Sequence, residues 1–135
     1  MMISDQSKIR ITYGDTDKMG VVYYGNYPKY YEIGRTELMR KIGFSYDRIE
    51  KEGVIMPVVK LEAEYFKSAY YDDLITVNTI VKEMPKAIIR FYYEIYNDKN
   101  ELINKGYTDL SFVKKENLKP CRPPANLYNA LKEYF

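Results

Sequence analysis

Residues 13–31 read YGDTDKMGVVYYGNYPKYY, and the change of rhythm inside this stretch decides the fold. Gly14 to Gly20 crowds two glycines and two aspartates together, the composition of a tight, specially shaped turn. A different period then begins. From about Asn26 to Ile42, the residues Tyr27, Tyr30, Tyr31, Gly34, Leu38 and Ile42 recur at steps of three and four and make one face of a helix. Asn26 is a suitable N-cap, Pro28 falls in the first turn where a missing N–H costs little, and Gly43 marks the stop. Ser45 to Glu52 reads as one more short helix, closed by Gly53.

Outward from this helix the period is two. Lys8 to Tyr13 alternates polar with apolar residues, as a strand does. Val59, Leu61, Ala63 and Tyr65 alternate with Lys60, Glu62, Glu64 and Phe66. Ile75, Val77, Thr79 and Val81 form the next inward set, and Met84-Pro85-Lys86 is a turn. Ile89, Phe91, Tyr93 and Ile95 follow, then a polar hairpin loop over Asn97 to Asn100 and a long final strand from Leu102 to Val113. Lys119 to Pro124 is interrupted by proline, and Ala125 to Tyr134 reads as a terminal helix. With no internal repeat or linker, residues 1–135 are expected to form a single α+β domain, an antiparallel sheet packed on one principal helix. One helix cannot cover both faces of such a sheet and its edges, so pairing with a second copy is expected.

Composition narrows the function. Twenty-one basic and 19 acidic residues leave a net charge of +2, which gives no electrostatic case for binding nucleic acid. Cys121 is the one cysteine, so no internal disulfide forms and a reducing compartment is the simple reading. The first residues lack the apolar run of a signal peptide, and no stretch approaches the length of a membrane span. The expectation is a cytoplasmic protein. Histidine is absent, which excludes Ser-His-Asp, Cys-His and histidine-based zinc sites. Acid–base chemistry near neutral pH must then rest on carboxylates, Tyr, Lys, backbone dipoles or a bound cofactor.

Asp15 and Asp17 stand in a glycine-bounded loop just before the long helix. A helix start offers unpaired N–H groups and a positive dipole end. A thioester carbonyl aimed there would be polarised, and its oxyanion stabilised, without a cationic side chain. A thiolate also leaves more easily than an amine, so thioester hydrolysis tolerates the lack of a strong general acid. On chemistry alone, a turn and a helix cap are the commoner meaning of such residues.

The run Y-G-D-T-D-K-M-G-V-V-Y-Y-G-N-Y, with Tyr31-Glu32 and Arg35-Thr36-Glu37 after it, resembles the 4-hydroxybenzoyl-CoA thioesterase family and the related Tol-Pal-associated acyl-CoA thioesterases. The likeness continues through Phe66 to Leu74 (FKSAYYDDL). This resemblance implies a hotdog fold, with the sheet wrapped around the long helix, and dimers that pair their sheets, often assembled into tetramers. It implies hydrolysis of an acyl-CoA with no cofactor. Asp17 would be the general base or nucleophile, the amide at Tyr24 would polarise the carbonyl, and Gly20 and Tyr23 would lie beside the substrate. Many relatives carry His where this chain has Tyr24, so a side-chain role for imidazole is ruled out while the backbone donor remains.

Other residues are weighed against plainer roles. Asp15 is expected to shape its loop. Glu32 and Arg35, three apart, are expected to form a surface pair. Lys86, Lys119 and Arg122 are candidates for the phosphates of coenzyme A. Arg90 is expected to be structural and Cys121 incidental. Tyr23, Tyr27 and Tyr30 are expected to pack in the core, with lining an acyl pocket as the alternative. Two other functions stay open: hydrolysis of acyl groups carried on acyl carrier protein, and a non-catalytic module that binds acyl-CoA or a protein.

Overall fold

The computed structural model describes residues 2–135. Strand β1 (Ile3–Arg10) leads through a single 3-10 turn at Tyr13–Asp15 and a second at Tyr24–Asn26 into helix α1 (Tyr27–Lys41). Helix α2 (Tyr46–Lys51) follows, then β2 (Val54–Ile55), β3 (Val58–Tyr65), β4 (Leu74–Val81), β5 (Ile88–Tyr96), β6 (Leu102–Ser111), β7 (Val113–Lys114) and α3 (Ala125–Lys132). The large sheet is antiparallel in the order β1-β4-β5-β6-β3, while β2 and β7 pair separately. The long helix lies against this sheet in the α+β, hotdog arrangement that the sequence led us to expect.

Alternation decides which face of the sheet meets the helix. Ile75, Val77, Thr79 and Val81 of β4, and Ile89, Phe91, Tyr93 and Ile95 of β5, are all buried, as their spacing predicts. From α1 they meet Tyr27, Tyr30, Tyr31, Leu38 and Met39. Gly34 brings the helix close to β4. A Cβ there would fall 2.9 Å from Val77 Cγ1 and closer still to Thr79 Oγ1. Tyr31 stacks on Tyr93 with ring centroids 4.2 Å apart, and its hydroxyl bonds to the buried Asn104 of β6. The helix ends at Lys41, and Gly43, two residues on, takes φ +86°.

Four local expectations are corrected. The first strand spans Ile3–Arg10 and not Lys8–Tyr13, because Tyr13 begins a 3-10 turn. The final strand breaks after Ser111, and Val113–Lys114 leaves the large sheet to pair with Val54–Ile55. Strand β3 alternates in sequence but not in burial. It is the sheet's edge, and Val58, Val59, Leu61 and Tyr65 all stay exposed. Asn26 does not cap α1 through its side chain. Its amide instead donates to the Asp15 carbonyl at 2.8 Å.

Candidate active site

The loop before α1 folds back on itself. Thr16 bridges Val22, the Asp17 N–H donates to Val21 O at 2.9 Å, and the Gly20 N–H donates to Asp17 O at 3.0 Å. Gly20 closes the turn at φ +81°, a conformation that glycine adopts without cost. The Tyr23 N–H donates to Asp15 O at 2.9 Å. Asp17 is thereby carried alongside residues 21–23, the approach to the helix start.

The two aspartates have opposite surroundings. Asp15 is buried, and three donors use its carboxylate: the Thr12 N–H at 3.3 Å, Lys29 Nζ at 2.6 Å and Tyr30 Oη at 3.0 Å. Burial pushes its pKa up, but the bonds from Lys29, Tyr30 and Thr12, with the Lys29 charge, outweigh this and hold it below the ordinary value of 3.8. Asp15 is therefore an anchor that ties the loop after β1 to α1, in line with the loop role expected of it. Asp17 is only partly buried. Its Oδ1 accepts the Met19 N–H at 2.8 Å, and its other oxygen has no partner among the described residues. It is the carboxylate with lone pairs to spare.

Next to it, the helix start lacks a side-chain cap. The Tyr24 carbonyl accepts the Tyr27 N–H and, at 3.1 Å, the Tyr65 hydroxyl from the end of β3. The Tyr24 N–H makes no hydrogen bond among the described residues, so it remains available to a ligand oxygen. Tyr23 and Tyr24 are exposed, with rings 4.7 Å apart. The adjoining Tyr24 phenol, slight burial and the charge of Asp17 push the Tyr23 hydroxyl above its usual pKa, so it stays protonated. Tyr23 thus departs from the core packing expected of it, while Tyr27 and Tyr30 are buried as expected. Burial raises Tyr27 to about 12.

The basic candidates separate. Lys86 and Arg122 line one groove of about 580 Å³ with Pro85, Cys121 and Tyr128, whereas Lys119 is exposed outside its lining. Arg90 holds Asp109 through two bonds of 2.7 and 2.8 Å, the structural role expected of it. The Glu32–Arg35 surface pair does not form. Arg35 is buried, and its Nε donates to Tyr46 Oη at 3.1 Å, because this face of α1 is covered by α2 and β5. Tyr65 was not singled out by sequence. It meets Tyr24 from 41 residues away, and nothing local marks it. Lys29 as the partner of Asp15 was legible only as a cation in the first turn of the helix. Among the described residues no cluster of His, Cys, Asp or Glu could hold a metal ion. No helix among them is long and apolar enough to cross a membrane.

Comparison with known proteins identifies the family. YneP of Bacillus subtilis is 36% identical over 117 residues, 87% of this chain and 85% of YneP. The acyl-CoA thioester hydrolase YbgC of Escherichia coli is 32% identical over 125 residues, 93% of each chain. Among solved structures, a DHNA-CoA thioesterase from Staphylococcus aureus superposes with a TM-score of 0.93 at 36% identity, covering 97% of this chain and 90% of its own. Residues 11–131 match the thioesterase-like superfamily, and the chain belongs to that family.

Proposed function

We propose that this protein hydrolyses an acyl-CoA thioester to the free acid and coenzyme A, with Asp17 as the catalytic carboxylate. The observation that carries this reading is the contrast between the two aspartates. One is saturated and buried, while the other keeps a free oxygen beside a helix start whose Tyr24 N–H is unpaired. The thioester oxygen accepts from the Tyr24 N–H, and the helix dipole favours the charge that develops there. Water attacks the carbonyl carbon as Asp17 takes its proton, or Asp17 attacks first to give a mixed anhydride that water opens. The thiolate of coenzyme A leaves in either route. Gly20 lets the loop turn, and Tyr23 stands beside the reacting group. The names of the relatives favour coenzyme A over an acyl carrier protein as the carrier.

Lys86 and Arg122 suit the phosphates of coenzyme A, and Lys119, three residues before Arg122, does not join their groove. This groove and Asp17 belong to opposite ends of β4, which runs about 27 Å from Leu74, next to the Asp17 loop, towards the turn at Lys86. One coenzyme A molecule would meet both sets most easily if a second copy supplied one of them. The open edge of β3, with Val58, Val59, Leu61 and Tyr65 exposed, offers the pairing surface for a homodimer, which could assemble further into a homotetramer. The lone Cys121 suits the reducing cytoplasm.

The test is thiol release from a panel of acyl-CoA esters by the purified protein and its Asp17→Asn variant. A loss of about 10²–10⁴-fold in turnover is expected. A variant as active as its parent would refute the assignment. Oxygen label from water entering the protein carboxylate in one turnover would select the anhydride route.

A further inference from the structure

Arg35 occupies an unusual position for a charge. It is 8% exposed, and its partners are two phenols, Tyr46 Oη at 3.1 Å and Tyr93 Oη at 3.5 Å. No carboxylate pairs with it among the described residues. A guanidinium carries five N–H donors and stays charged, so most of its hydrogen-bonding capacity is unused. A buried cation in that state is costly unless an anion reaches it.

The surroundings offer room for one. Arg35 and Tyr46 line a cavity of about 240 Å³ whose other walls include Ile49, Val54, Met56 and Leu110. Two acids also border it, and neither neutralises Arg35. Glu32 is solvent-exposed, and Glu50 is paired with Lys115 at 3.0 Å. Arg35 thus offers unused N–H donors at one end of the cavity, beside the solvent-screened Glu32 and the neutralised Glu50, and the flank is aliphatic, so a carboxylate on a hydrocarbon stem could pair with it.

We propose that this cavity binds a carboxylate, with Arg35 as the counter-ion, the Tyr46 hydroxyl next to it and the apolar walls around the stem. The carboxylate has two chemical sources. It is the far end of a dicarboxylic acyl group, in which case the inference rests on the acyl-CoA reading above, or it is a free fatty acid such as the reaction releases. Helix α1 bears on both, since it places Arg35 about 12 Å beyond its first residue, Tyr27, at 1.5 Å per residue.

Two measurements separate these sources. The first compares kcat/KM for octanedioyl-CoA and octanoyl-CoA in the parent and in Arg35→Met. The second measures binding of free octanoate and octanedioate to the same proteins by calorimetry. If the substrate supplies the carboxylate, the parent favours octanedioyl-CoA and the substitution lowers that preference at least tenfold. If the free acid is the ligand, the preference is flat but carboxylate binding weakens at least tenfold in the variant. Tyr46→Phe, which leaves the charge in place, is expected to weaken the same readout severalfold and serves if Arg35→Met does not fold. Binding that depends on Arg35 in a protein that hydrolyses no ester of the acyl-CoA panel would sink the hydrolase reading and leave the carboxylate site standing. Equal preference and equal binding in parent and variants would overturn the proposal.

Discussion

At the scale of single residues, the loop sets two chemically identical side chains to different work. Asp15 has donors on both oxygens, so it is fixed and inert, and Asp17 has one donor and a free oxygen. The difference follows from direction. Asp15 faces Lys29 and Tyr30 on α1, whereas Asp17 sits at the tip of the turn. Because hydrogen bonds hold the native pKa of Asp15 below 3.8, its contribution to stability is complete above that value. It is lost as pH falls through the depressed native value. Asp15→Asn should therefore lower stability at neutral pH and flatten the acid limb of the stability curve. Urea midpoints across the range of about pH 2 to 7 measure this, and an unchanged acid limb would remove Asp15 from its anchoring role.

At the scale of elements, the seat of α1 on β4 depends on Gly34. An added methyl group there meets Thr79 Oγ1, a hydroxyl that is buried with no hydrogen-bond partner, and Val77 Cγ1. Gly34→Ala is expected to cost about 1–3 kcal/mol through overpacking, despite the better helix propensity of alanine. The double variant Gly34→Ala/Thr79→Ala should recover much of the loss, since it removes the obstructing oxygen. A double-mutant cycle by chemical denaturation checks the coupling, and additive costs would show that the contact does not constrain the helix. The same helix carries Tyr24 at its approach and Arg35 two turns in, so its seat sets the geometry of both sites.

At the scale of the whole molecule, the sheet has two edges, β1 and β3, and β3 is the one that carries a run of exposed apolar residues. Unpaired strand groups with apolar side chains form a template for another strand. Replacing Val59 and Leu61 together by Asp places like charges opposite one another in a paired edge, and the species in solution is expected to shift from dimer or larger to monomer. Sedimentation velocity reads this directly. Because the Lys86–Arg122 groove and Asp17 lie at opposite ends of β4, the monomer is also expected to bind acyl-CoA more weakly. A protein that is monomeric before substitution would remove the argument for a shared site.

Much of the architecture was legible without coordinates, because period is a local property. The 3.6-residue rhythm from Tyr27 to Lys41 and the alternation through β4 and β5 placed the helix and its facing residues to within a position or two. The loop of Gly14 to Gly20 also announced itself, through residue types that tight turns require. Partnership, by contrast, came from folding. Alternation in β3 did not reveal that the strand lies at an edge, since pleating is the same wherever a strand sits in a sheet. Spacing suggested a surface pair for Arg35, whereas packing of α2 and β5 buried it among phenols. Local pattern alone was enough for the principal helix, the central strands and the two carboxylates available for chemistry, because all follow from neighbours along the chain. Which aspartate keeps a free oxygen, and which tyrosine braces the helix start, depend on residues 14 to 41 positions away brought together by folding.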